Sequence, residues 1–175
     1  MYNNIANNNT GGILVFNMPS IPQRGYATRV FDNEIHSNNT ENFAIPGTAV
    51  SGVPAGSGVV INSNDQVEVF NNHFSNNNTA NIVISSYFSA NFAGQRELAA
   101  EFDPYPEEIL IYDNTFEGGG TQPGLNYLTE LKNALYGEQG AFPDIIWDGI
   151  VNPENKDQRA ICLLYTSDAA DEVDG

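Results

Sequence analysis

Apolar and polar positions alternate along this chain in short runs. In the segment 67–70, Val67 and Val69 face one way and Glu68 the other. Asn71 and Asn72 then turn the chain, after which Phe74 points inward and His73 outward. This period of two is the signature of a half-buried strand. The same phrase spans 28–40, 67–79 and 109–120, and a shorter form opens the chain at 1–10. Anchoring each copy on the Asn two residues before its Ile or Phe aligns Asn3, Asn33, Asn72 and Asn114, with spacings of 30, 39 and 42 residues. A second phrase follows the first three copies, as Gly12-Ile-Leu-Val15, Gly58-Val-Val-Ile61 and Asn81-Ile-Val-Ile84.

Between the phrases lie irregular stretches, 17–27, 41–57 and 88–107, which read as insertions. Without them each unit shrinks to roughly 20–25 residues of short strands and turns, the scale of a solenoid repeat. No helical period fits the phrases, and Asn-Asn pairs disfavour helix. The expected architecture is therefore all-β, with units stacked so that equivalent residues sit on neighbouring parallel strands about 4.8 Å apart. Stacking makes Asn33, Asn72 and Asn114 a structural ladder, with Asn3 at its end. Each side-chain amide can donate to the next unit and accept from the previous one. Phe31, Phe70 and Tyr112 form an aromatic column, and Ile35, Phe74 and Phe116 an inner apolar column. Asn8, Asn38 and Asn77 each begin an Asn-Asn-Thr sequon, but their recurrence at one repeat position speaks for turn chemistry rather than glycosylation.

After Gly120 the pattern changes. Leu125, Leu128, Leu131 and Leu135 recur at three- and four-residue steps, predicting an amphipathic helix over 125–136 that ends at Gly137. The segment 142–149 reads as a strand or extended stretch ending in a turn. The helix is expected to cap or flank the stack, because open strand edges need cover. The chain thus divides into 1–120, the repeats with their insertions, and 121–161, the capping helix and extended segment of the same domain. The last stretch, 162–175, resembles the translation of a transposase-type sequencing adaptor. It is expected to be disordered, with the native chain ending near Cys162 and, Met1 falling inside a repeat, further units and a signal peptide preceding it.

Composition sharpens this picture. The chain has 175 residues, with 6 basic and 22 acidic side chains and a net charge of −16, or −12 without the four acids of the tail. Such a surface cannot neutralise phosphates, which argues against nucleic acid and anionic membranes. It leaves cations, neutral sugars and basic proteins. No apolar run reaches the roughly 20 residues of a spanning helix. Asn is unusually frequent, with 24 copies, as a turn-rich stack requires. The single Cys162 lies at the tail and carries no information on redox compartment.

The phrases Asn-Asn-Asn-Thr-Gly-Gly-Ile-Leu-Val-Phe, Arg-Val-Phe-Asp-Asn, Gly-Ser-Gly-Val, Val-Glu-Val-Phe-Asn-Asn and Pro-Asp-Ile-Ile-Trp-Asp-Gly resemble the right-handed parallel β-helix, the pectin-lyase-like fold. More narrowly, their order looks like an uncharacterised bacterial family of β-helix repeat proteins over residues 2–162. That resemblance implies export, to the periplasm, outer surface or medium, often through a lipoprotein-type signal. It implies little about activity.

Three outward columns are the candidates for chemistry: Arg29, Glu68 and Leu110; Asp32, Asn71 and Asp113; Glu34, His73 and Thr115. The catalytic candidates are Arg29, Asp32, Glu68, His73 and Asp113. Parallel β-helix enzymes that act on acidic sugars place carboxylates, often with calcium, beside a basic residue, so the expectation is no cofactor and no metal site, with calcium as the one exception to test. Carboxylates one unit apart could reach the lower separation used in glycoside hydrolysis. Against this, Arg29 beside Glu68 also reads as an ordinary cross-strand ion pair, and Asp beside a ladder as a turn residue. His36 and His73 fall at different repeat positions and form no metal-spaced cluster. In the insertion 88–107, Phe92, Arg96 and Tyr105 are the ligand-binding candidates, since function gathers in loops on rigid scaffolds. Their aromatics serve equally well to pin the loop. The favoured expectation is an exported, monomeric scaffold that binds a polysaccharide or another exported protein. The alternative is a polysaccharide lyase, hydrolase or epimerase acting on an acidic glycan. Stacked acids with a basic residue in a cleft under 88–107 would favour the enzyme, and scattered self-paired charges would not.

Overall fold

The computed structural model describes residues 1–19, 23–89, 101–155 and the strand 161–164. It is predominantly β, with twelve strands and one α-helix among the described residues. The strands are β1 (Ile5–Asn7), β2 (Gly11–Phe16), β3 (Tyr26–Phe31), β4 (Glu34–His36), β5 (Ser57–Asn62), β6 (Asp65–Phe70), β7 (His73–Asn77), β8 (Ala80–Ser85), β9 (Ile109–Tyr112), β10 (Thr115–Gly119), β11 (Ile145–Trp147) and β12 (Ile161–Leu164). They form three parallel four-stranded sheets: β1-β4-β7-β10, β2-β5-β8-β11 and β3-β6-β9-β12. Each sheet takes every third strand, so the chain visits the three in strict rotation.

The inner side chains stack in register. Ala6, Ile35, Phe74 and Phe116 form one column. Ile13, Val59, Ile82 and Ile145 form the second. Val30, Val69 and Ile111 line the third. These residues belong to one core cluster, in which Val30, Ile35, Val59, Val69, Phe74 and Ile82 are wholly buried.

Two Asn ladders close the turns. In the first, the side-chain amides of Asn4, Asn33 and Asn72 donate to the Oδ1 atoms of Asn33, Asn72 and Asn114 at 2.9, 2.8 and 2.9 Å. Asn4, not Asn3, ends this ladder. The apolar anchor Ile5 suggested otherwise, but Ile5 pairs with Glu34 and is 68 % exposed, while Ala6 takes the inner place opposite Ile35. Asn3 instead joins Asp32, Asn71 and Asp113 in a row of left-handed residues, φ 50–54°. The second ladder runs from Asn9 to Asn38 (3.1 Å) and from Asn38 to Asn77 (3.2 Å). Asn38 and Asn77 have no exposed surface, so two of the three sequons are closed to a glycan. On the outside, Tyr2, Phe31, Phe70 and Tyr112 stack with ring centroids 5.0 Å apart.

Gly12 and Gly58 are required by close approach. A Cβ on Gly58 would lie 2.3 Å from the Asn81 carbonyl oxygen, and one on Gly12 would lie 2.7 Å from that of Gly58.

The helix α1 (Asn126–Tyr136) ends at Gly137 with φ 78°. Lys132 is buried and its Nζ donates to the carbonyls of Gly137, Glu138 and Gly140, which ties the loop after the helix back onto it. Phe142 then packs edge-on against Tyr136 and leads into β11. At the start of the adaptor-like segment, Cys162–Leu164 continue a strand that pairs with β9 through Leu110, Ile111 and Tyr112, and 165–175 lie outside the described residues. An apolar Cys-Leu-Leu run beside an open parallel edge has the composition to extend it.

Candidate functional site: a cleft under the helix

The second phrase does not alternate. In Val59-Val60-Ile61 and Ile82-Val83-Ile84 the middle residue faces away from the core, yet it too is apolar and buried. A strand that is apolar on both faces must be covered on both. Leu14, Phe16, Val60, Val83 and Ile146 form a second cluster on the outer side of the β2-β5-β8-β11 sheet, with Val53 and Ala80.

This face and α1 line a common cleft of about 490 Å³. Val60, Val83 and Ile146 come from the sheet, and Leu128, Leu131 and Leu135 from the helix. Val53 and Pro54 come from the insertion between β4 and β5, and Trp147 and Asp148 from the end of β11. Two contacts fix the helix mouth. The Gly124 amide donates to Thr79 Oγ1 (2.9 Å), and Gly124 lies so close to Ala55 that a Cβ there would meet the Ala55 carbonyl oxygen at 2.4 Å.

Polar groups also line the cleft. Asn62 Nδ2 donates to Ser85 Oγ (2.9 Å) and to the carbonyl of Ser86 (2.9 Å). Asp148 Oδ2 accepts from the Ser86 amide (2.7 Å) and from the Ser89 hydroxyl, and Oδ1 from the Ile150 amide (3.0 Å). Tyr127 is 56 % exposed and its hydroxyl has no hydrogen-bond partner among the described residues; partial desolvation of the ring raises its pKa from the usual phenol value. Volume and lining match a small-molecule site: a largely apolar wall with a few polar groups. The leucine spacing foretold the helix, but the cleft escaped the sequence reading. The signal was the unbroken apolar run at Val60 and Val83.

The outward columns lie elsewhere, and several of their charged members are paired. Arg29 Nε meets Glu68 Oε2 at 2.8 Å, with both side chains exposed, and the guanidinium lies over the rings of Phe31 and Phe70. Asn71 Nδ2 donates to Asp32 Oδ1. His73 Nε2 stands 3.2 Å from Glu117 Oε1. Asp32 and Asp113 occupy the left-handed row, which accounts for a short polar residue at each. His36 approaches Asn7 at 3.4 Å. Tyr105 packs against Phe88, centroids 5.6 Å apart. Phe92 and Arg96 lie outside the described residues.

A tighter group of charges sits where the chain returns to β9. Arg24 pairs with Asp65 and with Asp103 (2.8 Å). Carboxylate oxygens of Asp65, Asp103 and Glu107 lie within 4.8 Å of one another. Burial pushes the Asp65 carboxyl up to about 6, and the Asp103 charge adds to this against the pull of Arg24. Asp65 Oδ1 also accepts from the Glu107 amide (3.2 Å), and the Glu107 carboxylate accepts from Asn155 Nδ2 (3.1 Å). The group thus ties the arm 101–108 to the start of β6. It opens onto a groove of about 380 Å³ that Tyr26, Gln66 and Glu108 also line. The sequence reading did not single out Arg24, Asp65 or Glu107, because their meeting depends on how the insertions fold back.

No family model matches this chain, and neither a curated protein nor a solved structure matches it. No helix among the described residues is long and apolar enough to cross a membrane.

Proposed function

We propose that the protein is a right-handed parallel β-helix of the pectin-lyase-like kind, exported, and that it works as a binding scaffold with the cleft under α1 as its ligand site. The rotation of strands through three parallel sheets and the Asn ladders support the fold reading. Export rests on the family resemblance. The observation that carries the function is the cleft itself. The outer face of the β2-β5-β8-β11 sheet is apolar and helix-covered, yet about 490 Å³ between these walls stays open. A helix serving only as cover would close on Val60 and Val83, because interiors pack densely.

A second reading is a glycan-degrading enzyme centred on Asp65, Asp103, Glu107 and Arg24. One observation favours it: acids stack with a basic residue beside a groove at the foot of 88–107, and one acid has a raised pKa. Binding ranks first because Arg24 and backbone amides already occupy these carboxylates.

The test uses the whole chain and a panel of neutral and acidic polysaccharides, exported-type proteins and small amphiphiles. Retention of a ligand that Leu131→Trp abolishes and Glu68→Gln leaves intact supports the scaffold. Release of sugar products from any polysaccharide, lost in Asp65→Asn, would overturn it in favour of the enzyme.

A further inference from the structure

We propose that the cleft takes an uncharged amphiphile, its aliphatic body against Val60, Val83, Leu128 and Leu131 and its hydroxyl or carbonyl head at the polar groups Tyr127 and Ser85. This rests on the scaffold reading and names the ligand class of that site.

Charge excludes an anion first. Among the described residues no Lys or Arg lines the cleft and the one charged lining residue is Asp148, and the chain carries a net charge of −16. A carboxylate or phosphate head would lose its water without gaining a cationic partner. A cation fares little better. The Asp148 carboxylate already accepts from the Ser86 amide, the Ser89 hydroxyl and the Ile150 amide, so it serves the turn. A bare oligosaccharide fits poorly as well. Each hydroxyl buried against Leu or Val without a partner costs about 1–3 kcal/mol, and the lining holds few partners.

Several lining groups retain hydrogen-bonding capacity, among them the Tyr136 hydroxyl and the Trp147 indole N–H, which make no hydrogen bond among the described residues. The Tyr127 hydroxyl makes no hydrogen bond among the described residues. Ser85 Oγ accepts from Asn62, and its own proton goes to no acceptor there. A neutral head group that accepts a hydrogen bond can pair with either hydroxyl. The apolar wall then supplies the affinity, about 25 cal/mol per Å² of surface removed from water.

The test titrates the full chain with N-phenyl-1-naphthylamine, an uncharged fluorescent probe, and displaces it with 1-monolauroylglycerol, dodecanoate or dodecyltrimethylammonium. The expected result is saturable binding, displaced at least about tenfold better by monolauroylglycerol than by either charged chain. Leu131→Trp, a substitution on a half-exposed helix position, should abolish binding with the circular dichroism unchanged. Val60→Trp provides the same block from the sheet side. Tyr127→Phe should weaken monolauroylglycerol about three- to tenfold, the worth of one hydrogen bond, and leave the naphthylamine within twofold. Displacement by dodecanoate or the ammonium as readily as by monolauroylglycerol would overturn the uncharged class. Absence of probe binding in a chain that still retains a polysaccharide or protein, sensitive to Leu131→Trp, would overturn the amphiphile and keep the scaffold. Absence of any ligand in both screens would remove both.

Discussion

Replacing Asn72 with alanine removes one rung of the first ladder, and the structure sets the size of the effect. Asn72 is 2 % exposed. Its amide nitrogen donates to Asn114 Oδ1 (2.9 Å) and to the carbonyls of Val30 (3.0 Å) and Phe70 (3.0 Å). Its Oδ1 accepts from the Asn33 backbone amide (3.1 Å) and side chain (2.8 Å). In the alanine variant the Asn33 backbone N–H loses its acceptor inside the stack. An orphaned buried donor costs about 1–3 kcal/mol, and each further lost bond about 1 kcal/mol. Asn33 Nδ2 keeps the Phe31 carbonyl at 2.8 Å, which limits the total. The expected loss is about 3–5 kcal/mol, a fall in Tm of roughly 6–20 °C for a chain of this size. Asn72→Asp separates donor from acceptor. It keeps the acceptor for Asn33 but turns a carboxylate toward Asn114 Oδ1 and two carbonyls, so it should be the worse variant at pH 7. It should recover below about pH 5, where the acid is neutral and donates. Urea unfolding followed by circular dichroism at both pH values measures this. An alanine loss below about 1 kcal/mol, or an aspartate variant with no recovery in acid, would refute the ladder as a stabilising element.

Other outcomes follow from single residues. For Asp65 the folded pKa is raised to about 6, above the unfolded value near 3.9, so its contribution is present in acid and lost as pH rises through 6. Wild type should therefore gain about 1.4 kcal/mol over Asp65→Asn between pH 7 and pH 5, read from paired urea curves, and a flat difference would contradict the assigned burial. Gly58→Ala should cost more than about 3 kcal/mol because its Cβ would meet the Asn81 carbonyl, whereas Gly137→Ala, with open space but φ 78°, should cost about 1 kcal/mol by the same assay. Glu68→Gln should leave stability within about 0.5–1 kcal/mol, as an exposed ion pair does, and should leave cleft binding untouched.

The stack was legible in the sequence because its physics repeats. Val67 and Val69 alternate with Glu68, and Asn33, Asn72 and Asn114 recur beside them, so each column could be read without coordinates. The first copy slipped by one residue for the opposite reason. Ile5 is the better apolar anchor, and Asn3 and Asn4 are equivalent by type, while a slip of one flips every side chain to the other face. Tyr2 opposite Phe31 holds the correct register, and that aromatic match was the available clue. The second ladder was visible only as sequons, since Asn8, Asn38 and Asn77 share a motif but Asn9, Asn38 and Asn77 share a column. The cleft and the Arg24 group were hidden more deeply. Both join residues from separate insertions, and the relation between Leu131 and Val60, or Arg24 and Asp103, has no sequence period. Only the unbroken apolar runs at Val60 and Val83 hinted that the outer face carries a cover.

A crystal structure of the whole chain with 1-monolauroylglycerol added tests the account most directly. The account predicts Asn72 Nδ2 within hydrogen-bonding distance of Asn114 Oδ1, α1 over Val60 and Val83, and the acyl chain between them with its head at Tyr127. A helix packed down onto Val60 and Val83 with no cleft, or α1 placed against another face, would contradict it.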